Sequence, residues 1–160
     1  MASIESNIAL IGDKELSAKL LRLNDMAVKK IMSPAIRRGL VVVKRVAKQK
    51  ATPGNILSNE ASGLMKKAIK ASARSKKHGI VGKIFIDPKV SGTVKGEKHV
   101  PAKIAHLVEF GHGGSNPAPP HPFMRPALDE TQSEVRQKIT DEAKKRLPLV
   151  TKGMTRGGKI

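Results

Sequence analysis

The sequence predicts an α+β domain, in which two N-terminal helices and one C-terminal helix pack on a small antiparallel β-sheet. Apolar residues recur at helical spacing early and late in the chain, and a β-branched segment lies between them. With 160 residues the chain has the length of a single domain, which we place at residues 8–147.

The N-terminal part of the chain predicts two helices separated by a break. The first begins after Asp13, a typical N-cap, because leucines follow it at helical spacing. The second begins at Ser33 as N-cap, with Pro34 in the first helical position. Gly39 and the β-branched residues 41–43 leave a bent or strand-like segment open as the alternative.

The middle of the chain contains the predicted sheet. Residues 79–87, GIVGKIFID, form the clearest strand, because β-branched and aromatic residues favour strands. Its isoleucines alternate with three residues of the opposite face, Val81, Lys83 and Phe85. Residues 64–77 fit either a helix or a strand, and we expect residues 87–103 to form a Lys-rich loop excursion.

The last predicted helix runs from Pro126 to Pro148. Acidic residues open it and basic residues close it, which is the arrangement that the helix dipole favours. Proline cannot donate the next helical hydrogen bond, so we expect the helix to stop at Pro148. Residues 148–160 then form a flexible basic tail.

A proline-rich segment precedes that helix. Between Val108 and Glu130 it contains five prolines, three glycines and two of the three phenylalanines of the chain. Proline restrains its own backbone and that of the preceding residue, so this segment is unlike a flexible linker. We expect it to hold a fixed shape with an apolar end at Phe123 and Met124.

The charge of the chain favours a polyanionic partner. The formal net charge is +18, and only three acids lie between Arg37 and Lys103. Such a field attracts DNA through phosphate contacts that do not depend on sequence. A solvated basic surface or an acidic protein partner is the alternative. The candidate DNA-facing residues are Lys66, Lys67, Lys70, Arg74, Lys76, Lys77, Lys95 and Lys98.

No catalytic or metal-binding motif stands out. The chain has no cysteine, and its glycines do not match a phosphate-binding loop or a dinucleotide fingerprint. Four residues form the one constellation that suggests a metal, but without a metal-ligand spacing: His106, Glu109, His112 and His121. We therefore expect a protein that is not an enzyme and that has no cofactor, no metal and no membrane-spanning segment.

The motif IAHLVEFGH…PPHPFMRPALDET resembles the signature of the tail-component, or tail-completion, family of long-tailed bacteriophages with a lambdoid-type head-to-tail joint. The opening IALIGDKELSAKLLRL and the element ASGLMKKAIK are also similar to that family, so the resemblance covers about residues 8–147. The Lys-rich excursion and the basic tail are not part of the pattern.

The resemblance implies a structural virion protein of the phage neck or tail, assembled in the host cytoplasm. It implies a homo-oligomeric ring, with six copies preferred, that contacts neighbouring neck and tail proteins and lets the genome pass. The expected interface residues are Glu109, Phe110, Pro120, His121, Pro122, Phe123, Met124 and Arg125. For Phe123 and Met124 a role in the core of the domain itself is the alternative, and Glu109 could pair with Arg125. A basic, sequence-nonspecific nucleic-acid-binding protein is the competing function, and a nuclease with a histidine-based site is a third.

Overall fold

The computed structural model describes residues 23, 25–51, 58–76, 79–115 and 117–156. Within these residues, four helices and four strands follow one another along the chain. The helices are α1 (Asp25–Lys50), α2 (Asn59–Ala68), α3 (Pro101–Phe110) and α4 (Met124–Arg156), and the strands are β1 (Ile69–Lys76), β2 (Gly79–Ile86), β3 (Gly92–Val94) and β4 (Glu97–His99).

The predicted fold class is wrong in its arrangement of elements. The described chain opens with one long helix, contains four helices, and has two separate two-stranded antiparallel sheets where one small sheet was expected. Most of the first predicted helix lies outside the described residues. The remainder belongs to α1, which runs through Ser33 and Pro34 without the predicted break.

Helix α1 tolerates Pro34 because buried residues flank it on both sides. A proline removes one helical hydrogen bond. Ile31 and Ala35 are both fully buried in the main core, and separating them at a break would expose this apolar surface. Packing therefore outweighs the local stop signal at Pro34.

The predicted stop at Pro148 is wrong for the same reason. Helix α4 continues through Pro148 to Arg156, so the first part of the expected flexible tail is helical, and residues 157–160 lie outside the described residues. Leu147 and Val150, on either side of the proline, both pack against the core. The Thr151 hydroxyl also donates a hydrogen bond of 3.1 Å to the Leu147 carbonyl.

Helices α1 and α4 lie antiparallel and form the main contact of the fold. Two ion pairs give the direction, because Arg45 pairs with Glu134 while the later Lys50 pairs with the earlier Glu130. At the crossing, a Cβ on Gly39 would lie 2.5 Å from the Ile139 Cγ1 atom and 3.2 Å from the Val135 carbonyl oxygen. Gly39 is therefore a close-packing position within a continuous helix, and residues 41–43 are helical where a strand-like segment was the alternative.

Strands β1 and β2 pair along their full length and contact α1. We call this pair the ribbon, residues 69–76 and 79–86; Ile69 lies opposite Ile86, and Lys76 lies opposite Gly79. Gly82 faces α1, since a Cβ there would lie 2.6 Å from the Ile36 Cγ2 atom. Ile84 and Ile86 pack against the core, so the predicted strand and its apolar face are confirmed.

The region that fitted either state, residues 64–77, is divided between two elements in its described part, residues 64–76. Helix α2 ends at Ala68 and β1 begins at Ile69. Ser62 of α2 is buried and its hydroxyl donates 2.9 Å to the Ala51 carbonyl, which follows α1 directly. This bond satisfies a carbonyl that a helix end would otherwise leave without a partner.

The Lys-rich excursion, residues 87–103, contains a second hairpin. Strands β3 and β4 are joined at Lys95 and Gly96, which both have positive φ, as the commonest tight hairpin turn requires. A Cβ on Gly92 would lie 2.6 Å from Leu64 Cδ2, so β3 lies directly against α2.

Among the described residues, no helix is long and apolar enough to cross a bilayer.

We predict opposite effects for two helical glycine substitutions. Gly39→Ala inserts a methyl group against Ile139 and the α4 backbone, and should lower the free energy of unfolding by about 1–3 kcal/mol. Gly63→Ala in α2 is the matched control, because a Cβ there meets nothing within 4 Å. It should raise the free energy of unfolding by up to about 1 kcal/mol through helix propensity. Urea denaturation measures both; a Gly39→Ala protein as stable as the wild type would contradict the close crossing.

Candidate functional site

The carboxylate of Glu109 caps the N-terminus of α4. Glu109 lies in the last turn of α3 and is only 4% exposed. Its Oε2 atom accepts hydrogen bonds from the backbone N–H groups of Phe123 at 2.8 Å and Met124 at 3.0 Å. Its Oε1 atom accepts from the Arg125 N–H at 3.1 Å. A negative charge at a helix N-terminus is also favoured by the helix dipole.

This cap accounts for every free donor at the start of α4. A helix leaves its first four N–H groups without a partner in the helix. Here those groups belong to residues 123–126; Glu109 accepts from three of them, and Pro126 has no N–H to satisfy. The sequence Phe-Met-Arg-Pro is therefore matched to a single carboxylate.

The loop between α3 and α4 is held by backbone contacts at both ends. His112 and Ala118 exchange two hydrogen bonds, of 3.0 and 2.9 Å, and the His121 N–H donates 2.8 Å to the Val108 carbonyl. Gly111 has φ of 72° and a Cβ there would lie 2.8 Å from the Ala118 carbonyl oxygen. Only glycine fits this position without strain. We call residues 109–115 and 117–126, with these bonds, the capped loop.

The capped loop separates the predicted interface residues into three groups: interior, half-buried and exposed. Glu109 and Phe123 are interior, and Phe123 is the largest fully buried side chain of the described residues at 1% exposure. The core role left open for Phe123 is thus what the structure shows, and Glu109 engages the Arg125 backbone N–H where an ion pair was considered. Met124 and His121 are half-buried, whereas four residues are exposed: Phe110, Pro120, Pro122 and Arg125.

All charged residues on the outer face of the ribbon are basic. Directly opposed residues of an antiparallel pair share a face, so the outer face contains the pairs Lys70–Phe85, Ser72–Lys83, Arg74–Val81 and Lys76–Gly79. Each of these four successive pairs contains one cation and no acid. Since alternate residues of a strand are about 6.7 Å apart, the four cations form a row about 20 Å long. We call this row the basic face, Lys70, Lys83, Arg74 and Lys76.

The structure thus brings together three of the predicted DNA-facing residues and adds Lys83. Its Nζ atom lies 5.3 Å from the centre of the Phe85 ring, a cation–π contact that keeps it over the outer face. Lys66 and Lys67 lie on α2, Lys95 and Lys98 lie on the β3–β4 hairpin, and Lys77 lies outside the described residues. Strand alternation alone placed Lys83 opposite the isoleucines, but only the pairing register reveals that it fills the gap at Ser72.

The basic face differs electrostatically from the α4 side of the protein. Among the described residues, ion pairs join Arg45 to Glu134, Lys50 to Glu130 and Arg146 to Glu142. All three acids belong to α4. No described residue forms an ion pair with a cation of the basic face, and neither strand of the ribbon contains an acid. The positive charge of the ribbon is thus uncompensated.

The histidines considered as metal ligands do not form a cluster in the described part of the chain. No three residues among His, Cys, Asp and Glu there lie close enough to hold a metal ion. Glu109, one member of the considered set, has both carboxylate oxygens occupied by backbone N–H groups.

Comparisons with protein-family models, with curated proteins and with solved structures found no match to this chain. The similarity of the EFG and PFMRPA elements to the phage family therefore stays an expectation. What the chain can do follows from the two features described above, the capped loop and the basic face.

We predict that Glu109→Ala lowers the free energy of unfolding by about 3 kcal/mol or more, because it leaves three N–H groups without a partner. Glu109→Gln should lie between this variant and the wild type, since it keeps one acceptor oxygen but loses the charge. Glu134→Ala is the control; it removes an exposed ion pair and should cost less than about 1 kcal/mol. Chemical denaturation followed by circular dichroism distinguishes them, and equal costs for Glu109→Ala and Glu134→Ala would refute the capping role.

Proposed function

We propose that the protein is a structural, non-enzymatic component of a bacteriophage neck or tail, which completes the tail or joins it to the head. It assembles as a homo-oligomeric ring of six copies through which the genome passes. The observation that supports this most is the capped loop, because the residues that resemble the phage family are the residues that build it: Glu109, Gly111, Phe123 and Pro126.

A capped loop of this kind is suited to assembly. Its backbone is fixed by Glu109, by the His112–Ala118 bonds and by its prolines, so little conformational entropy is lost when a partner binds. Phe123 anchors it from inside, at 1% exposure. Phe110, which follows Glu109 directly, remains 59% exposed, and Pro120 and Pro122 of the same loop are also exposed. An apolar edge on a rigid support is a suitable contact for a second copy or for a neighbouring virion protein.

The ring would occupy the neck or tail of the virion and form in the host cytoplasm. Its partners would be further copies of the chain, the adjoining neck and tail proteins, and the genomic DNA in the channel. Loose, sequence-independent phosphate contacts suit a conduit, because a base-specific grip would slow passage of the genome.

The basic face supports a second candidate, a sequence-nonspecific nucleic-acid-binding protein that forms no ring. Four cations without an acid on the ribbon would suffice for non-specific phosphate contacts. The two candidates differ in oligomeric state, since the second needs neither a closed assembly nor an apolar edge at Phe110.

We predict that the purified protein in moderate salt forms closed rings of about 103 kDa, six times the 17.2 kDa chain. Mass photometry gives the mass, and electron microscopy shows whether the particles are annular. Phe110→Ser should reduce ring formation without lowering the melting temperature, because its side chain is mostly exposed. A chain that stays monomeric at all concentrations and still binds DNA would favour the second candidate.

Leu149→Ser is the matched control for Phe110→Ser. Leu149 is 70% exposed, and it lies on α4 about 37 Å from the capped end of that helix. Its substitution removes a similar exposed apolar side chain far from the capped loop and should leave the rings intact. Equal loss of rings in both variants would show that the capped loop is not the specific contact.

A further inference from the structure

We propose that the basic face of the ribbon binds a row of backbone phosphates along duplex DNA. The inference builds on the proposed function, because a conduit for the genome needs a DNA-facing surface, and it goes further by assigning that surface to Lys70, Lys83, Arg74 and Lys76. It is tested separately from ring formation.

The geometry of the row favours a regular polyanion. Each of the four residue pairs of the outer face, which are alternate pairs of the ribbon, contains one of the four cations, and together they span about 20 Å. Duplex DNA carries one negative charge per about 1.7 Å of axis, so a 20 Å row faces about six base pairs. A line of charge at even spacing complements such a regular target. The carboxylates on an acidic protein surface are not regularly spaced, so such a surface matches this row less well.

The chemistry of the face favours a duplex over a single strand. Single-strand binders stack bases on exposed aromatic rings. The outer face contains one ring, Phe85, which is half-buried and has the Lys83 ammonium group above it. Contacts would therefore go to phosphates, and these carry no sequence information.

The ribbon also holds the face in place. Its opposite face packs on α1 at Gly82 and on the core through Ile84 and Ile86, so the cations project from a supported surface. None of the four cations is directly opposite another, since their partners are Phe85, Ser72, Val81 and Gly79. Direct repulsion across the strands is thus avoided while the charges remain in one row.

Exposed lysines on strands also protect sheet edges from pairing with other chains. If protection of a sheet edge were the only role of these lysines, replacing them would not change DNA binding. The test therefore compares DNA binding directly, with a control that removes the same charge elsewhere.

The ribbon variant replaces Lys70, Arg74, Lys76 and Lys83 with glutamine. The control variant replaces three lysines and one arginine that are exposed on the helices, Lys30, Arg136, Lys138 and Lys145. Both variants lower the net charge by four, so a general field effect would act on them equally. The probe is a fluorescent 20-base-pair duplex of arbitrary sequence, titrated at several salt concentrations.

The slope of log K against log salt should fall by about 3–4 in the ribbon variant and by less than about 1 in the control. Affinity for the duplex should fall at least about tenfold in the ribbon variant alone. Circular dichroism and the oligomer mass are measured on each protein. If the ribbon variant melts early, the single substitution Lys76→Gln, at an exposed position, should still reduce the slope by about 1.

Three outcomes would overturn the inference: equal losses in the two variants, tighter binding of the wild type to a single strand of the same length, or equally effective competition by polyglutamate. The last would indicate an acidic protein partner. Loss of DNA binding with rings intact supports the inference and leaves the proposed function standing. If the wild type forms no rings and the ribbon variant still loses DNA binding, the inference is supported and the proposed ring is refuted.

Discussion

The fold depends on one buried carboxylate. Glu109 fixes the position at which α4 begins, because its two oxygens accept all three backbone N–H groups available there. Phe123, immediately before the helix, is thereby placed in the core. From this start α4 runs antiparallel to α1 and crosses it at Gly39, and α1 in turn supports the ribbon. A substitution at Glu109 would therefore alter the packing at the helix crossing and, through α1, the packing beneath the basic face.

The sequence predicted local structure better than the limits of the helices. The strand at residues 79–86 and its apolar face followed from β-branched residues that alternate with period two. Pro34 and Pro148 misled the prediction because each is a local stop signal inside a helix that tertiary packing continues. Burial of Ile31 and Ala35, or contact of Leu147 and Val150 with the core, becomes visible only once α1 and α4 are placed together. Propensity describes one residue in its own segment, and these two helices are held by each other.

The sequence named part of the capped loop and of the basic face, but it did not reveal the roles of these residues. The proline-rich segment was expected to hold a fixed shape, and its named residues do form one capped loop. That Glu109 caps a helix beginning 15 residues later could not be read from spacing, because caps are normally local to their helix. The same holds for Lys83. Its face followed from alternation, but its place between Lys70 and Arg74 depends on a pairing register that was undetermined while residues 64–77 could be helix or strand.

The charge distribution separates the two sides of the protein physically. On the α4 side, Glu130, Glu134 and Glu142 each pair with a cation, which offsets part of the positive charge there. On the ribbon no acid is present, and the four cations of the basic face keep their full field. Repulsion among them disfavours the folded ribbon, and apolar packing of Ile69, Ile84 and Ile86 on its other face opposes that repulsion. A bound anion would reduce the repulsion among these four cations, so binding of a polyanion there should also stabilise the fold.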